Sequence, residues 1–346
     1  MLPDGGGNIY VTGTDFAGND PLGEGDIVTI KYNPLGSQQW VARFNGATSE
    51  SDGATGIAAD ADGNSYVTGS TRISGINTDY VTIKYNTDGT QLWMAQYGGA
   101  AAQGDTSAAI TIDNSGNVYV LGTDQKIPYD YDYLTIKYSS TGQTQWTVRY
   151  DGKGHGNDWP ASLDVDQSGN VYVTGQSIGS NYTWDIATVK YSASGVKQWA
   201  KTYDGTGHGD DIGNAVKVDQ SGNVYVGGAT AAGSSNLNYT TIKYNSLGHK
   251  DELPDSGNDE ANTLLQNYPN PFSSSTTICY HLCQSSNVTF IIRDVTGIIV
   301  KQLNFPGISA GNHSIELNGD GLASGIYFCE MVSGDFTNMR RLVLQK

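Results

Sequence analysis

Thr82-Ile83-Lys84-Tyr85-Asn86-Thr87-Asp88-Gly89-Thr90-Gln91-Leu92-Trp93 decides the fold, because the chain writes it again and again. The lysine of the Thr-Ile-Lys-Tyr box has counterparts at Lys31, Lys137, Lys190 and Lys243, always at an interval of 53 residues. A tryptophan stands nine residues after four of the five lysines, at Trp40, Trp93, Trp146 and Trp199. A Gly-Asn-x-Tyr-Val box precedes each lysine. One supersecondary unit is copied five times, so the architecture is one that stacks like units.

The copy between Ala54 and Gly99 contains four β-like runs, at 54–60, 65–70, 79–86 and 91–97, each rich in β-branched or aromatic residues and bounded by Gly, Asn or Asp. The turns Asp60-Ala61-Asp62-Gly63-Asn64 and Asn86-Thr87-Asp88-Gly89-Thr90 are hairpin turns in which glycine supplies the positive φ. A four-stranded meander cannot bury both faces alone, and radial stacking of copies buries them; period and strand count match a β-propeller blade. Leucine-rich and β-helix repeats are too short to fit, and separate small β domains would need linkers that are not there. The composition agrees, with 45 glycines and 22 tyrosines but only 16% charged residues among 346. The first copy opens at its second strand and the last stops after its third, since Glu252 stands where a fifth Trp is expected. The expectation is an all-β chain: a propeller of about five four-stranded blades with incomplete end blades, in a five-unit ring or open arc truncated from a larger ring.

The formal charge is −16, yet residues 264–346 hold five basic and five acidic side chains, so the deficit lies in the repeats and the segment after them. Nucleic acid and anionic membrane surfaces would be repelled. No apolar run approaches the ~18 residues of a membrane-spanning helix. The N-terminus has neither the basic start nor the apolar stretch of a secretory signal, and it opens inside a repeat, so an upstream segment is expected. Residues 1–248 read as the repeats, 249–263 as a solvated acidic linker, and 264–346 as a separate domain. That last segment carries six or seven short strands, predicted at 277–282, 287–294, 298–304, 311–317, 325–332 and 339–344, which indicates a small immunoglobulin-like β-sandwich.

The string Asp166-Gln-Ser-Gly-Asn-Val-Tyr-Val-Thr-Gly175, the Thr-Ile-Lys-Tyr boxes, the Gln-Trp that follows them and the Gly-x-Gly-His-Gly linkers resemble the bacterial β-propeller repeat family SBBP. That family is nominally seven-bladed. The C-terminal segment resembles the type A sorting domain of the type IX secretion system of Bacteroidota and relatives. The resemblance rests on Asn267-Tyr268-Pro269-Asn270-Pro271-Phe272, on Asp294 to Gly297, on Ala310 to His313 around Gly311, on Leu322 to Tyr327 with Gly325, and on the closing Arg340-Arg341-Leu342-Val343-Leu344-Gln345-Lys346. It implies inner-membrane export by a signal peptide, periplasmic transit, recognition of the folded sandwich by an outer-membrane translocon, and removal of the domain by a surface sortase near the acidic linker. A secreted or cell-surface protein follows. Pro269 and Pro271 bias their neighbours to extended backbone, so the segment enters the sandwich as a stiff edge and not as a paired strand.

Cys279, Cys283 and Cys329 are the only cysteines. On one strand the first two would lie ~13 Å apart at ~3.3 Å per residue, beyond the ~7 Å reach of a disulfide. One of them could reach Cys329 across strands, but three buried thiols is the preferred reading.

Candidate chemistry in the repeats is sparse. His155 and His208 sit in two consecutive linkers, with Asp158 and Asp211 three residues on. Their repetition argues first for a loop geometry supplied by the glycines, second for ligand contact, and last for acid–base or metal catalysis. The Asp-x-Asp-Gly-Asn turn at 60–64 has calcium-loop character, but later copies put Ser115, Ser168 and Ser221 at its middle, leaving too few oxygens for a cage. The repeated lysines read as solvated tips or partners of repeat carboxylates, and the repeated tryptophans as packing between blades. The connection from strand two to strand three, by contrast, varies between copies and carries Tyr129, Tyr131, Tyr182 and Trp184. It emerges on the same side as the blade-to-blade linkers, so these aromatics should share a face with His155 and His208. Variable loops on a rigid scaffold are where binding resides. The reading is a non-catalytic binding or adhesion propeller for an extracellular glycan or surface protein, with no metal, cofactor or catalytic residue assigned. A polysaccharide-acting enzyme, or an accessory module of one, is the alternative.

Overall fold

The computed structural model describes residues 1–16, 25–46, 50–75, 77–99, 104–127, 130–179, 182–231, 237–246, 248, 250, 262–267 and 269–346. The chain divides into two compact units, Met1–Asp251 and Glu252–Lys346.

The first unit is five antiparallel sheets in chain order, here blades one to five. Blade one holds β1 (Leu2–Pro3), β2 (Ile9–Asp15), β3 (Asp26–Tyr32) and β4 (Gln38–Phe44); blade two holds β5 (Asp52–Ala59), β6 (Ser65–Ser74), β7 (Asn77–Tyr85) and β8 (Gln91–Tyr97). Blade three holds β9 (Thr106–Ile112), β10 (Val118–Ile127), β11 (Asp130–Tyr138) and β12 (Thr144–Tyr150); blade four holds β13 (Asp158–Val165), β14 (Val171–Ile178), β15 (Trp184–Tyr191) and β16 (Lys197–Tyr203). Blade five is three-stranded, with β17 (Ile212–Val218), β18 (Val224–Ala231) and β19 (Leu237–Tyr244). The propeller expectation holds, with one correction at each end. Blade one keeps a two-residue first strand, Leu2 and Pro3 opposite Tyr10 and Ile9. Past β19 the chain makes one bridge of a fourth strand, Lys250 opposite Tyr244. Extensive packing runs in series, β2 on β5, β5 on β9, β9 on β13 and β13 on β17.

The middle strands of blades two to four are buried on both faces along much of their length, as in Ser65 to Gly69 and Tyr80 to Ile83, while the fourth strand of blade two alternates between half-buried and exposed. That is the pattern of a sheet clamped between neighbours with its outer edge in water. The repeated Lys and Trp make the clamp. Trp40 Nε1 donates to Thr87 O at 2.9 Å and Lys31 Nζ donates to the same carbonyl at 3.2 Å. Trp146 and Lys137 converge likewise on Ala193 O, at 3.0 and 3.4 Å. Trp199 and Lys190 converge on Ser246 O, at 3.4 and 3.1 Å. The accepting carbonyl belongs to the outer hairpin turn of the next blade, and the indole lies on that turn's glycine. A Cβ on Gly142 would stand 2.8 Å from Trp93 Cδ2, and at φ +83 the backbone already disfavours any other residue.

The lysines are therefore not solvated tips. Each ammonium lies over the tyrosine of its own Gly-Asn-x-Tyr-Val box, 4.8 to 5.8 Å from the ring centroid in the five copies, Lys31 on Tyr10 through Lys243 on Tyr225. The tyrosine hydroxyl in turn donates to the aspartate of the inner hairpin, Tyr66 to Asp60 at 2.9 Å and Tyr172 to Asp166 at 3.0 Å. One box thus links its own inner turn to its neighbour's outer turn. The lysine's hydrogen bond adds ~1 kcal/mol and its cation–π contact ~0.5–2 kcal/mol.

The second unit has one sheet of β20 (Thr263–Leu264), β21 (Ser275–Leu282) and β24 (Gly311–Asn318). Its other sheet holds β22 (Ser286–Asp294), β23 (Ile299–Ile308), β25 (Gly325–Ser333) and β26 (Phe336–Leu344). Alternate residues of both, among them Ile278, Tyr280, Leu282, Val288, Phe290, Ile292, Cys329, Met331, Leu342 and Leu344, form one core. The motif residues mostly build turns and edges. Asp294 accepts from Thr296 N and Ile298 N around Gly297 at φ +89. Tyr327 donates to Ala323 O, and Gly311 lies at φ +118. Asn270 and Phe272 cover the edge strand β26: Asn270 donates to Arg341 O and accepts from Val343 N, and Phe272 N donates to Val343 O. Phe272 makes a single bridge with Leu344 and no ladder. Pro269 O accepts from Asn267 and Thr276, Arg340 and Arg341 lie on β26, and Lys346 is exposed at the end. Tyr268 lies outside the described residues. All three cysteines are free thiols; Cys329 is buried, which pushes it up to about 12, while Cys279 and Cys283 are half-buried. Cys283 lies just past the end of β21 and not on it.

Replacing Lys137 with Met keeps the apolar stem but removes the ammonium, and Trp146 still satisfies Ala193 O. A loss of ~1–2 kcal/mol in denaturant-induced unfolding is expected; a solvated tip would change it by less than ~0.5 kcal/mol.

Candidate functional site

Where one blade hands the chain to the next, a buried aspartate opens the new first strand: Asp52, Asp105, Asp158 and Asp211. One oxygen accepts from the linker glycine behind it, Gly99 N to Asp105 and Gly152 N to Asp158, both at 2.6 Å. The other accepts from the end of strand two in its own blade, Gln125 N at 3.0 Å or Ile178 N at 3.2 Å. This carboxylate ties the linker beside the strand-two to strand-three connection, so the two sets of loops share one end of the blades.

His155 and His208 lie there, in the left-handed region at φ 48 and 49. The sequence reading gave the loop's special backbone to the glycines; in the structure the histidines adopt it. The glycines answer a different need, close approach: a Cβ on Gly152 would overlap Ser177 Oγ at 1.9 Å, and one on Gly154 would stand 2.6 Å from Gly179 O. Each imidazole Nδ1 bonds the aspartate four residues back, His155 to Asp151 at 3.1 Å and His208 to Asp204 at 2.9 Å. The hydrogen bond that Asp204 accepts, with its charge, raises the His208 pKa.

Blade four gathers most of the remaining candidates. Trp184 is half-buried at the start of β15; its N donates to Asp210 Oδ1 at 3.2 Å and its O accepts from Asp211 N at 2.6 Å. Tyr182 is 87% exposed at φ 65, in a turn closed on Gly179. Tyr131 stacks on Trp159 of blade four, with ring centroids 4.8 Å apart and planes at 30°. Asp158 and Asp211 are buried with both oxygens held by backbone N–H groups. Tyr129 lies outside the described residues.

An open groove of about 630 Å³ is lined by Tyr150 to Lys153 and His155 on one side and by Lys197 and Ala200 to Thr202 on the other, with none of Tyr131, Trp159, Tyr182 and Trp184 in its lining. Sequence reasoning passed over Trp159, Lys153, Lys197 and Lys201. Comparing copies could have found three of them. Lys197 stands where earlier copies have Gln38, Gln91 and Thr144, Lys201 where they have Ala42, Ala95 and Val148, and Trp159 where blade three has Thr106.

Carboxylates crowd the same end. Burial, before the charge of Asp132, pushes Asp158 up to about 6. Burial, with the charges of Asp204 and Asp211, does the same to Asp185. Asp105 is pushed up to about 6, mainly by burial. In the inner turns burial is outweighed by hydrogen bonds from Asn117 and its equivalents, and Asp60 and Asp113 lie below the usual carboxylate range.

Comparison with known proteins gives the class first. Residues 39–77, 92–123 and 145–183 match the family model described as a β-propeller repeat, which makes the first unit a repeat propeller. Residues 266–345 match the secretion system C-terminal sorting domain. The chain thus carries SBBP propeller repeats followed by a type IX secretion sorting tail, which marks it for secreted or cell-surface export. No curated protein sequence matches it. Among solved structures, PorZ, a surface component of the type-IX secretion system of Porphyromonas gingivalis, is 13% identical at a TM-score of 0.38, covering 98% of this chain and 51% of its own. The chain therefore spans about half the length of that relative. A PL25 ulvan lyase is 12% identical at a TM-score of 0.45, with 97% and 90% covered. An arabinoxylan arabinofuranohydrolase of Bacillus subtilis is 12% identical at a TM-score of 0.34, with 97% and 92% covered. Similarity at this level bears on no functional detail.

Asp105, Asp158 and Asp185 hold protons more tightly folded than unfolded, so folding takes up protons and stability rises as pH falls from 7 toward 5. The inner-turn aspartates act oppositely, and only below ~4. In chelator-containing buffer the thermal midpoint is expected to be higher at pH 5 than at pH 7.5; a lower midpoint at pH 5 contradicts this.

Proposed function

We propose that this is an exported, non-catalytic binding protein whose linker-end face on blades three and four holds an extracellular glycan. The observation that carries the reading is the concentration there of aromatic and basic side chains that break the repeat. Tyr131 stacks on Trp159, Tyr182 is exposed in the next strand-two to strand-three connection, Trp184 opens β15, and His155 and three lysines line a groove between β12 with its linker and β16. Repeat positions common to all blades build the clamp, and copy-specific positions are free to meet a ligand. Exposed rings offer flat apolar faces, and the groove's ammonium and imidazole groups offer hydrogen-bond donors to sugar hydroxyls. On this reading the sorting tail, through the β26 edge with Arg340, Arg341 and Lys346 and the Asn270 to Phe272 segment, docks on the type IX translocon, and a surface sortase removes it near the acidic stretch 249–263.

A polysaccharide-cleaving enzyme is the second reading, favoured by the raised carboxylates Asp158 and Asp185, since a carboxyl kept protonated near neutral pH can serve as a general acid. Asp158 already spends both oxygens on backbone N–H groups.

The test is retention on immobilised xylan, mannan and polygalacturonate. Binding to at least one is expected, with affinity falling ~10-fold or more when Tyr131, Tyr182 and Trp184 are replaced together by Ala, and with no release of reducing ends. Unchanged binding by the triple variant sinks the site, and release of reducing ends or unsaturated products turns the reading to the enzyme.

A further inference from the structure

Blades three and four each bring three carboxylates together: Asp132, Asp151 and Asp158 in one set, Asp185, Asp204 and Asp211 in the other. In each set one oxygen from every residue lies within 4.8 Å of the other two. The members come from separate places in the fold. Asp185 is on β15, Asp204 in the linker that follows β16, and Asp211 at the entry to blade five. The first and third positions recur in earlier copies, as Asp26 and Asp79 and as Asp52 and Asp105. The linker position does not: Asn45 and Gly98 stand there in blades one and two. The linker carboxylate is present only where the linker reads Asp-Gly-x-Gly-His-Gly, at 151–156 and 204–209.

Stapling the linker uses Asp211, and Asp204 meets the histidine of its own turn, so neither bond accounts for Asp185. Asp211 Oδ2 accepts from Gly205 N, and Oδ1 from Ala231 N at 2.9 Å. Asp204 Oδ2 faces His208. Asp185 is different: it is 9% exposed, and its Oδ1 is buried with no hydrogen-bond donor. An undonated carboxylate oxygen held beside two further carboxylates is costly unless positive charge meets it. Lys153 and His208 act on Asp185 only at a distance, through their charge. The spacing suits one ion, because two oxygens bound at 2.3–2.6 Å to the same Ca²⁺ stand at most ~5 Å apart. The donors are all hard oxygens, with no thiolate and the imidazole turned to Asp204, which suits a hard cation such as Ca²⁺ over the softer transition metals.

We propose that Asp185, Asp204 and Asp211 form a Ca²⁺ site that ties the third strand of blade four to the linker and to blade five. Asp132, Asp151 and Asp158 repeat it one blade earlier. Three carboxylates supply fewer ligands than the six to eight that Ca²⁺ takes, so water and carbonyl oxygens complete the shell and affinity falls in the ~10⁻⁴–10⁻³ M range of extracellular modules. The site stands independently of the glycan reading.

The test uses the whole chain, stripped with chelator and titrated with CaCl₂ by calorimetry, with thermal unfolding followed in parallel. Asp151→Asn silences the blade-three set and leaves the proposed site alone. That variant is expected to take up Ca²⁺ and to unfold at higher temperature with it. Adding Asp204→Asn, at an exposed linker position outside the backbone staple, is expected to weaken uptake ~10-fold or more and to abolish most of the rise in midpoint that Ca²⁺ brings. Absence of uptake by the Asp151→Asn chain up to ~10 mM Ca²⁺, or uptake indifferent to Asp204→Asn, overturns the proposal. So does an Asp185→Asn chain that binds Ca²⁺ as tightly as its parent.

Discussion

The stacking of the blades turns on one outer-turn carbonyl at each of three boundaries, Thr87 O, Ala193 O and Ser246 O. Two donors from the preceding blade, an indole N–H and an ammonium, converge on the outer hairpin turn of the next, and the glycine of that turn lets the indole lie against it. A single four-stranded meander leaves both faces of its middle strands open, and this junction closes them by repeating. It also explains why Lys, Trp, Tyr and the turn Gly and Asp recur together. Each is a partner of another member of the set, in its own blade or the next, so none can drift alone.

The opposite demands on the two kinds of loop divide structure from candidate function. The outer and inner hairpins are held by the junction and vary little. At the linker end a buried aspartate fixes only the entry to each first strand, and residues around it are free to differ. Blades three and four have used that freedom. They gather Tyr131 on Trp159, the exposed Tyr182, the lysines of the groove, and two sets of carboxylates in which burial, and then neighbouring charge, raise Asp158 and Asp185 to about 6.

Strand positions were legible because their signals are local. The four strands of the second copy, and all six of the sorting unit read from alternation and turn residues, recur in the structure with ends moved by a few residues. Of the two readings of the lysines, partnership with a repeat carboxylate holds at Lys84 beside Asp60, whereas the solvated tip fails, because a charge on a strand gives no sign of a carbonyl 56 residues away. His155 and His208 were read as passengers of their glycines, whereas the imidazole–aspartate bond accompanies the left-handed turn at the histidine itself. Trp159, Lys197 and Lys201 lie on strands and Lys153 in a linker, outside the strand-two to strand-three connections in which the copies differ most.

The sequence alone determined the all-β class, the five copies, the sorting tail and the end of the blades where variable loops meet linkers. These follow from periodicity and turn chemistry, which act over a few residues. Only the tertiary structure decided which partner each repeated residue takes and which acids are neighbours. Asp185, Asp204 and Asp211 are separated by a whole strand and a linker in the chain, and they come within 4.8 Å only because the chain crosses from one blade to the next. Proximity of that kind is set by packing between copies, and no pattern within one copy contains it.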